Sequence, residues 1–462
     1  MNKTNTLKSE GRSNLVAIIA MFFLYAMISF VTNLAAPLGT IWKGLYEWAG
    51  MAGNFMNFFA YLIMGIPAGT LLTRIGYKKT ALLAMAIGAV GIFIQWLSGI
   101  LGAETSVFTI SGQPVMLNFV IYLLGAFIGG FCVCMLNTVV NPMLNDLGGG
   151  GNKGNQLMQL GGSLNSLAGT LTPLFVGMLI GAITDRTSMG DVAPLLWIAI
   201  GVFIVAFVII SFVHIPEPHL HKKNNTTRKT AAAHSAWSFR HTVLGVIGIF
   251  FYVGLEVGTP GVLIFYLSDS AVSGITENAT AVAGAVAAVY WLLMLVGRLS
   301  SSVISGKVSS KVQLTVAASV AILLVLLAIF TPASIRISMP SYSVEDGFNM
   351  ARVPLSALYL VLVGLCTSVM WGSIFNLAVE GLGRYTTQAS GIFMMMVVGG
   401  GVMPLIQNAI ADSAGYMTSY WLVIAMLGYL LFYAISGSKN VNRDIPVDEI
   451  SEDTSNEIEN AL

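Results

Sequence analysis

The chain is 462 residues long, 56% hydrophobic and only 9% charged, with a formal net charge of +1. So balanced a charge argues against a nucleic-acid partner or a strongly acidic one. The three cysteines, Cys132, Cys134 and Cys366, all lie in apolar runs and read as small packing residues, not as a disulfide or metal set.

Twelve apolar stretches follow one another along the chain, at 15–37, 49–72, 80–101, 116–143, 156–183, 192–214, 241–267, 279–304, 312–331, 353–379, 387–411 and 416–436. A hydrocarbon core about 30 Å thick takes roughly 20 residues of helix. Lipid offers the backbone no hydrogen bonds, so an open chain cannot cross it. The expectation is an all-α membrane protein with twelve transmembrane helices, in place of the several soluble domains that length alone would suggest. The first stretch follows a short basic head, as a signal peptide would, but eleven further stretches make it a first transmembrane helix.

Lysine and arginine set the orientation. The N-terminus, the loops after even-numbered spans and the C-terminal tail together hold 18 of the 22, leaving Lys43, Arg186, Arg336 and Arg352 on the other side. Basic loops stay inside, so both termini are expected in the cytoplasm. Residues 1–14 form a cytoplasmic N-tail, 15–214 a first six-helix half, 215–240 a polar linker and 241–436 a second half. The acidic tail, 437–462, is expected to be disordered. All five histidines, His214, His219, His221, His234 and His241, fall in or beside the linker without ligand spacing, so it reads as a solvated connector and no metal is expected.

The halves echo each other. Gly65 to Lys79 after the second span matches Gly297 to Lys311 after the eighth, at a shift of 232 residues. Leu147-Gly148 leading to Pro173 is matched by Leu382-Gly383 leading to Pro404. Two six-helix halves related by pseudo-symmetry are a common build for secondary transporters. The glycine run Gly148–Gly151 lacks the Lys-Ser or Lys-Thr of a P-loop. With no Ser-His-Asp set, metal-carboxylate cluster or nucleotide-binding segment, the chain reads as no enzyme, with no cofactor.

Only Glu256 among the 21 acidic residues falls well inside a span, roughly 15 residues or about 22 Å into the seventh. An intramembrane carboxylate is costly and marks a cavity or a partner. No Lys or Arg is expected deep in a span. A sugar wants amides for its hydroxyls and an aromatic for its ring face. Asn165 and Asn376 are the leading amides, with Asn141, Gln159, Gln407 and Asn408 behind them. Tyr25, Tyr252, Trp291, Trp371 and Phe375 are the aromatic candidates. The bland alternatives are helix–helix hydrogen bonds for the amides and interface anchoring for the aromatics.

The segment Gly69, Arg74, Gly76, Lys78, Lys79 resembles the loop between helices 2 and 3 of the major facilitator superfamily. Thr73 stands where that pattern has Asp and Tyr77 where it has Arg, so the Asp-based latch is not implied. The resemblance narrows through Phe22–Ala26 with Pro37, Asn141-Pro142, Leu164-Asn165-Ser166, Tyr252–Val257, Ile374–Leu377, Gly399–Gly401 with Pro404, and Asp412–Gly415. In joint order these are similar to the fucose:proton symporter family, which includes glucose/galactose transporters. The resemblance implies the major facilitator fold, monosaccharide uptake across a bacterial inner membrane, and Asn165 as a sugar ligand. Asn33 and Asn137 stand where fucose-type members carry acidic residues, so proton coupling of that type is not implied.

The expected activity is uptake of a hexose or N-acetylhexosamine by alternating access, cation-coupled through Glu256. Sodium comes ahead of a proton, because Asn33 or Asn137 could add oxygen ligands. The rivals are a facilitative uniporter, a carrier of nucleosides or sugar acids, and a non-transporting sensor. The expected partners are a sugar and the lipid bilayer, with no nucleic acid, and the chain is expected to be monomeric.

Overall fold

The computed structural model describes residues 2–46, 49, 52–110, 112–149, 151–180, 188–213, 215, 217, 234–277, 279–343, 347–442 and 444–447. The linker from 218 to 233, with His219, His221, Lys222 and Lys223, lies outside them, as do His214 and the acidic tail from Asp448 onward.

Helices carry almost everything. The first span, Leu15–Leu34, belongs to a helix that runs Asn2–Leu45. Ala52–Leu97 is 46 residues long, about 69 Å as helix, which is two bilayer thicknesses. It is therefore the second and third spans together. The break falls at Gly76, with φ 85° and ψ 175°, a conformation open only to glycine. The fourth to ninth spans are Leu117–Leu147, Gly151–Ile180, Ala193–Phe212, Arg240–Ser268, Ala281–Ile304 and Ser310–Phe330. Leu355–Val379, Gln388–Ala414 and Tyr416–Gly437 complete twelve.

The tenth and eleventh spans are each interrupted. The tenth breaks between Leu355–Thr367 and Met370–Val379, the eleventh between Thr386–Met396 and Gly399–Ala414. The residues at both interruptions keep right-handed helical dihedrals, so each span remains one helix with an irregular turn in it.

The loops amend the all-α expectation. Two antiparallel hairpins, β1 (Ser106–Ile110) with β2 (Gln113–Met116) and β3 (Arg336–Ser343) with β4 (Gly347–Pro354), join the third to the fourth span and the ninth to the tenth. Their matching places in the two halves extend the pseudo-symmetry. Loop backbone at a membrane surface must pair with itself or with water, and a hairpin does the first. Arg336 pins the second hairpin by donating to Ser273 O (2.6 Å) and Arg352 O (3.2 Å).

The halves meet along the second span with the eleventh and the fifth with the eighth. At the end that carries the N-terminus, linker and tail, glycines let the backbones nearly touch. A Cβ on Gly391 would sit 2.8 Å from Gly65 O and 2.9 Å from Gly69 Cα. One on Gly372 would sit 2.7 Å from Asn155 Oδ1. We call this end the tail side; there the halves are closed.

Part of the expected disordered tail is packed. Asn442 Oδ1 accepts from the backbone N–H of Arg240 at 3.0 Å, Ile445 is buried, and Val447 lies against Gly383. An apolar residue and a helix-start donor give this stretch partners that the polar composition hid.

Candidate functional site

Polar side chains inside an apolar bundle must find one another, and here they do so across the two halves. In the seventh span Tyr252 and Glu256 lie one turn apart on one face, and the Tyr252 hydroxyl donates to Glu256 Oε1 at 2.8 Å. From the eighth span Arg298 Nη2 donates to the same oxygen at 3.0 Å. Arg298 is only 6% exposed. Its Nη1 reaches into the other half and donates to Gly162 O (2.9 Å) and Ser166 Oγ (2.8 Å) of the fifth span. The expectation of no basic residue deep in a span is thus corrected: Arg298 is buried, and Glu256 is not a lone carboxylate but half of an ion pair. The pair exists because either charge alone would be prohibitive in the bundle.

The second cluster centres on Asn141. Its Oδ1 accepts from the hydroxyl of Tyr25 and from Trp371 Nε1 (3.0 Å). Its amide donates to Asn137 O at 2.8 Å, and Asn137 Nδ2 donates to Tyr61 Oη at 2.8 Å. Asn141 does not end its span; the helix runs through Pro142 to Leu147. Trp371 also faces Tyr252, with ring centroids 6.1 Å apart and planes tilted by 55°. That contact joins the two clusters. A continuous run of Tyr61, Asn137, Asn141, Trp371, Tyr252, Glu256, Arg298 and Ser166 crosses the protein.

Asn165 stands next to Ser166, and its Oδ1 is buried with no hydrogen-bond partner among the described residues. A buried amide oxygen without a donor is costly. One and a half turns earlier, Gln159 donates to Val369 O (3.1 Å) at the break of the tenth span.

Other expected residues sit elsewhere. Asn376 donates to Ser310 Oγ (2.8 Å) at the start of the ninth span. Asn33 donates to Ser29 O (2.8 Å) in its own helix. Phe375 stacks edge-on to Phe393, and Trp291 edge-on to Tyr290. Gln407 is fully buried, its Oε1 2.5 Å from where a Cβ on Gly258 would lie. Asn408 donates to Asp412 on an exposed face.

In the basic loop, Gly76 makes the break and Gly69 the close contact with Gly391, while Arg74 and Lys79 are exposed. The backbone N–H groups of Tyr77 and Lys78 donate to the two carboxylate oxygens of Glu217, at 2.7 and 2.8 Å. Lys78 Nζ donates to Ser211 O at 2.7 Å. A carboxylate from the start of the linker thus caps the third span, beside the position where Thr73 replaces Asp.

The sequence reading missed Arg298, Ser166 and Tyr61. The signal for Arg298 was available: the next basic residue, Lys307, is nine positions on, about 13 Å of helix, too far for both to lie at one surface. The serines between them gave the stretch the look of a loop.

A model of the Major Facilitator Superfamily matches residues 16–404. The glucose/galactose transporter of Brucella abortus biovar 1 (strain 9-941) is 30% identical over 447 residues, covering 95% of this chain and 97% of that protein. The L-fucose-proton symporter of Escherichia coli (strain K12) is 22% identical over 458 residues, covering 92% and 94%. The solved fucose:proton symporter of E. coli superposes with a TM-score of 0.72 at 19% identity, over 93% of this chain and all of that one. A structure of that symporter in the outward conformation gives 0.71 at 18%. The chain belongs to the major facilitator superfamily, in the branch that holds the glucose/galactose transporters and the fucose:proton symporters.

Proposed function

We propose that this chain takes up a monosaccharide, a hexose or N-acetylhexosamine, across a bacterial inner membrane by rocking one half against the other. The termini and linker lie in the cytoplasm, on the side where 17 Lys and Arg remain against 4 once Arg298 is taken out of the count. One observation carries the reading: amides and aromatics of both halves converge on Asn141, Trp371 and Tyr252. Amide groups match sugar hydroxyls, and the Trp371 and Tyr252 rings suit an apolar sugar face. The relatives' names point the same way.

Coupling runs through Glu256. Either cation must compete there with the Arg298 guanidinium, which holds the same oxygen and opposes added positive charge, so the preference for sodium drawn from the sequence is not kept. A second reading, facilitated diffusion, is favoured by the same pair, because Arg298 already balances the carboxylate. Purified protein in proteoliposomes, given a sugar panel under proton, sodium or no gradient, separates the three. Uphill accumulation under a proton gradient supports symport, and equilibration under all gradients supports the uniporter. No saturable uptake of any monosaccharide rejects the sugar reading.

A further inference from the structure

We propose that Arg298 is a latch between the halves, seated on Gly162 and Ser166, whose grip is set by the charge on Glu256. The inference rests on the alternating-access reading but needs no particular sugar.

Arginine offers its donors in a rigid fork. Here Nη1 gives both hydrogens to the fifth span, in the first half, and Nη2 gives one to Glu256, in the second. The seat is built for this. Gly162 and Ser166 are four apart and so share one helix face. A side chain at 162 would crowd the arginine, since a Cβ there would lie 3.3 Å from Arg298 Cδ. Ser166 is itself buried. About two turns toward the tail side the halves are already in contact, where Gln156 Oε1 lies 3.2 Å from a Cβ built on Gly306. Opening that side pulls the fifth span from the eighth and strips Nη1 of both acceptors. The guanidinium is then left in the bundle with Glu256 alone.

The direction of control follows. Glu256 and the fifth span pull on one guanidinium from opposite sides. A charged Glu256 draws it toward the second half and offers it a partner once the halves part. A neutral side chain at 256 leaves the fifth span as the stronger acceptor set and tightens closure. Removing the Ser166 hydroxyl loosens it.

The test uses Gln156→Cys as a reporter on purified protein in detergent, where orientation and transport do not matter. The native cysteines are buried, and the protein without the reporter serves as control. Labelling by a maleimide reports opening of the tail side. Ser166→Ala is expected to raise the labelling rate about tenfold, the effect of losing one hydrogen bond from a charged donor on a two-state equilibrium. Ser166→Thr, which keeps the hydroxyl, should stay near wild type. Glu256→Gln should lower the rate severalfold. Unchanged labelling in Ser166→Ala, or faster labelling in Glu256→Gln with an unaltered melting temperature, overturns the latch. Responses in the expected directions from a protein that moves no sugar in liposomes would keep the latch and reject the sugar reading instead.

Discussion

Trp371 of the second half donates its indole N–H to the amide oxygen of Asn141 in the first, at 3.0 Å, and Tyr25 donates to the same atom. One acceptor thus holds two aromatic rings from opposite halves. Trp371→Phe keeps a ring near Tyr252 and removes one donor; it should weaken sugar binding by about 1 kcal/mol, roughly fivefold in Kd. Asn141→Leu removes the shared acceptor, strands both donors and should cost about 2–4 kcal/mol of binding and stability combined. Calorimetric titration and a melting curve separate the two. A larger loss of affinity in Trp371→Phe than in Asn141→Leu would contradict the shared-acceptor arrangement.

Asn165 is the sharper test of the site. Its Oδ1 has no donor among the described residues, so Asn165→Ala breaks no hydrogen bond to that oxygen. Sugar affinity should fall by about 1–3 kcal/mol, roughly five- to 150-fold in Kd, with a melting temperature close to wild type. Intact affinity with a lowered melting temperature would make Asn165 a residue of helix packing.

The sequence made the spans legible because a bilayer permits so few ways to cross it. It also exposed Tyr25, Asn141, Tyr252, Glu256 and Trp371, since polar groups in apolar helices stand out and each must find a partner. It did not say which partner. Asn376 reads as well as Asn141, yet its helix phase turns it to Ser310 and not to the other half. Asn33 satisfies itself one turn back on Ser29. Arg298 was passed over because the serines after it read as the start of a loop, although its spacing to Lys307 puts the two at different depths. The breaks in the tenth and eleventh spans carry no proline at the interruption, and tertiary packing sets them.

Glu217 should matter to stability more than its place in a linker suggests. Its carboxylate accepts two backbone N–H groups at the start of the third span, where the helix dipole favours a negative charge. Glu217→Ala is expected to cost about 1–2 kcal/mol, the scale of losing a helix cap. Glu217→Gln, which keeps one acceptor, should cost less. Thermal unfolding in detergent measures both. Equal, near-zero shifts would mean that water replaces the carboxylate without loss.

The tail-side closure gives the last prediction. A methyl group on Gly391 would lie 2.8 Å from Gly65 O, a backbone atom of the opposite half that cannot swing away. Gly284, in the eighth span, has open space around the same position. Gly391→Ala should therefore push the halves apart on the tail side, with an overpacking cost of about 1–3 kcal/mol to the closed state. That cost moves the conformational equilibrium roughly five- to a hundredfold toward the open form. It should not unfold either half, since the strain falls at their boundary. Maleimide labelling at Gln156→Cys reads the shift, with Gly284→Ala as the matched control. Gly391→Ala and Gly284→Ala labelling at the same rate would show that the glycine contact between the second and eleventh spans does not hold this end closed.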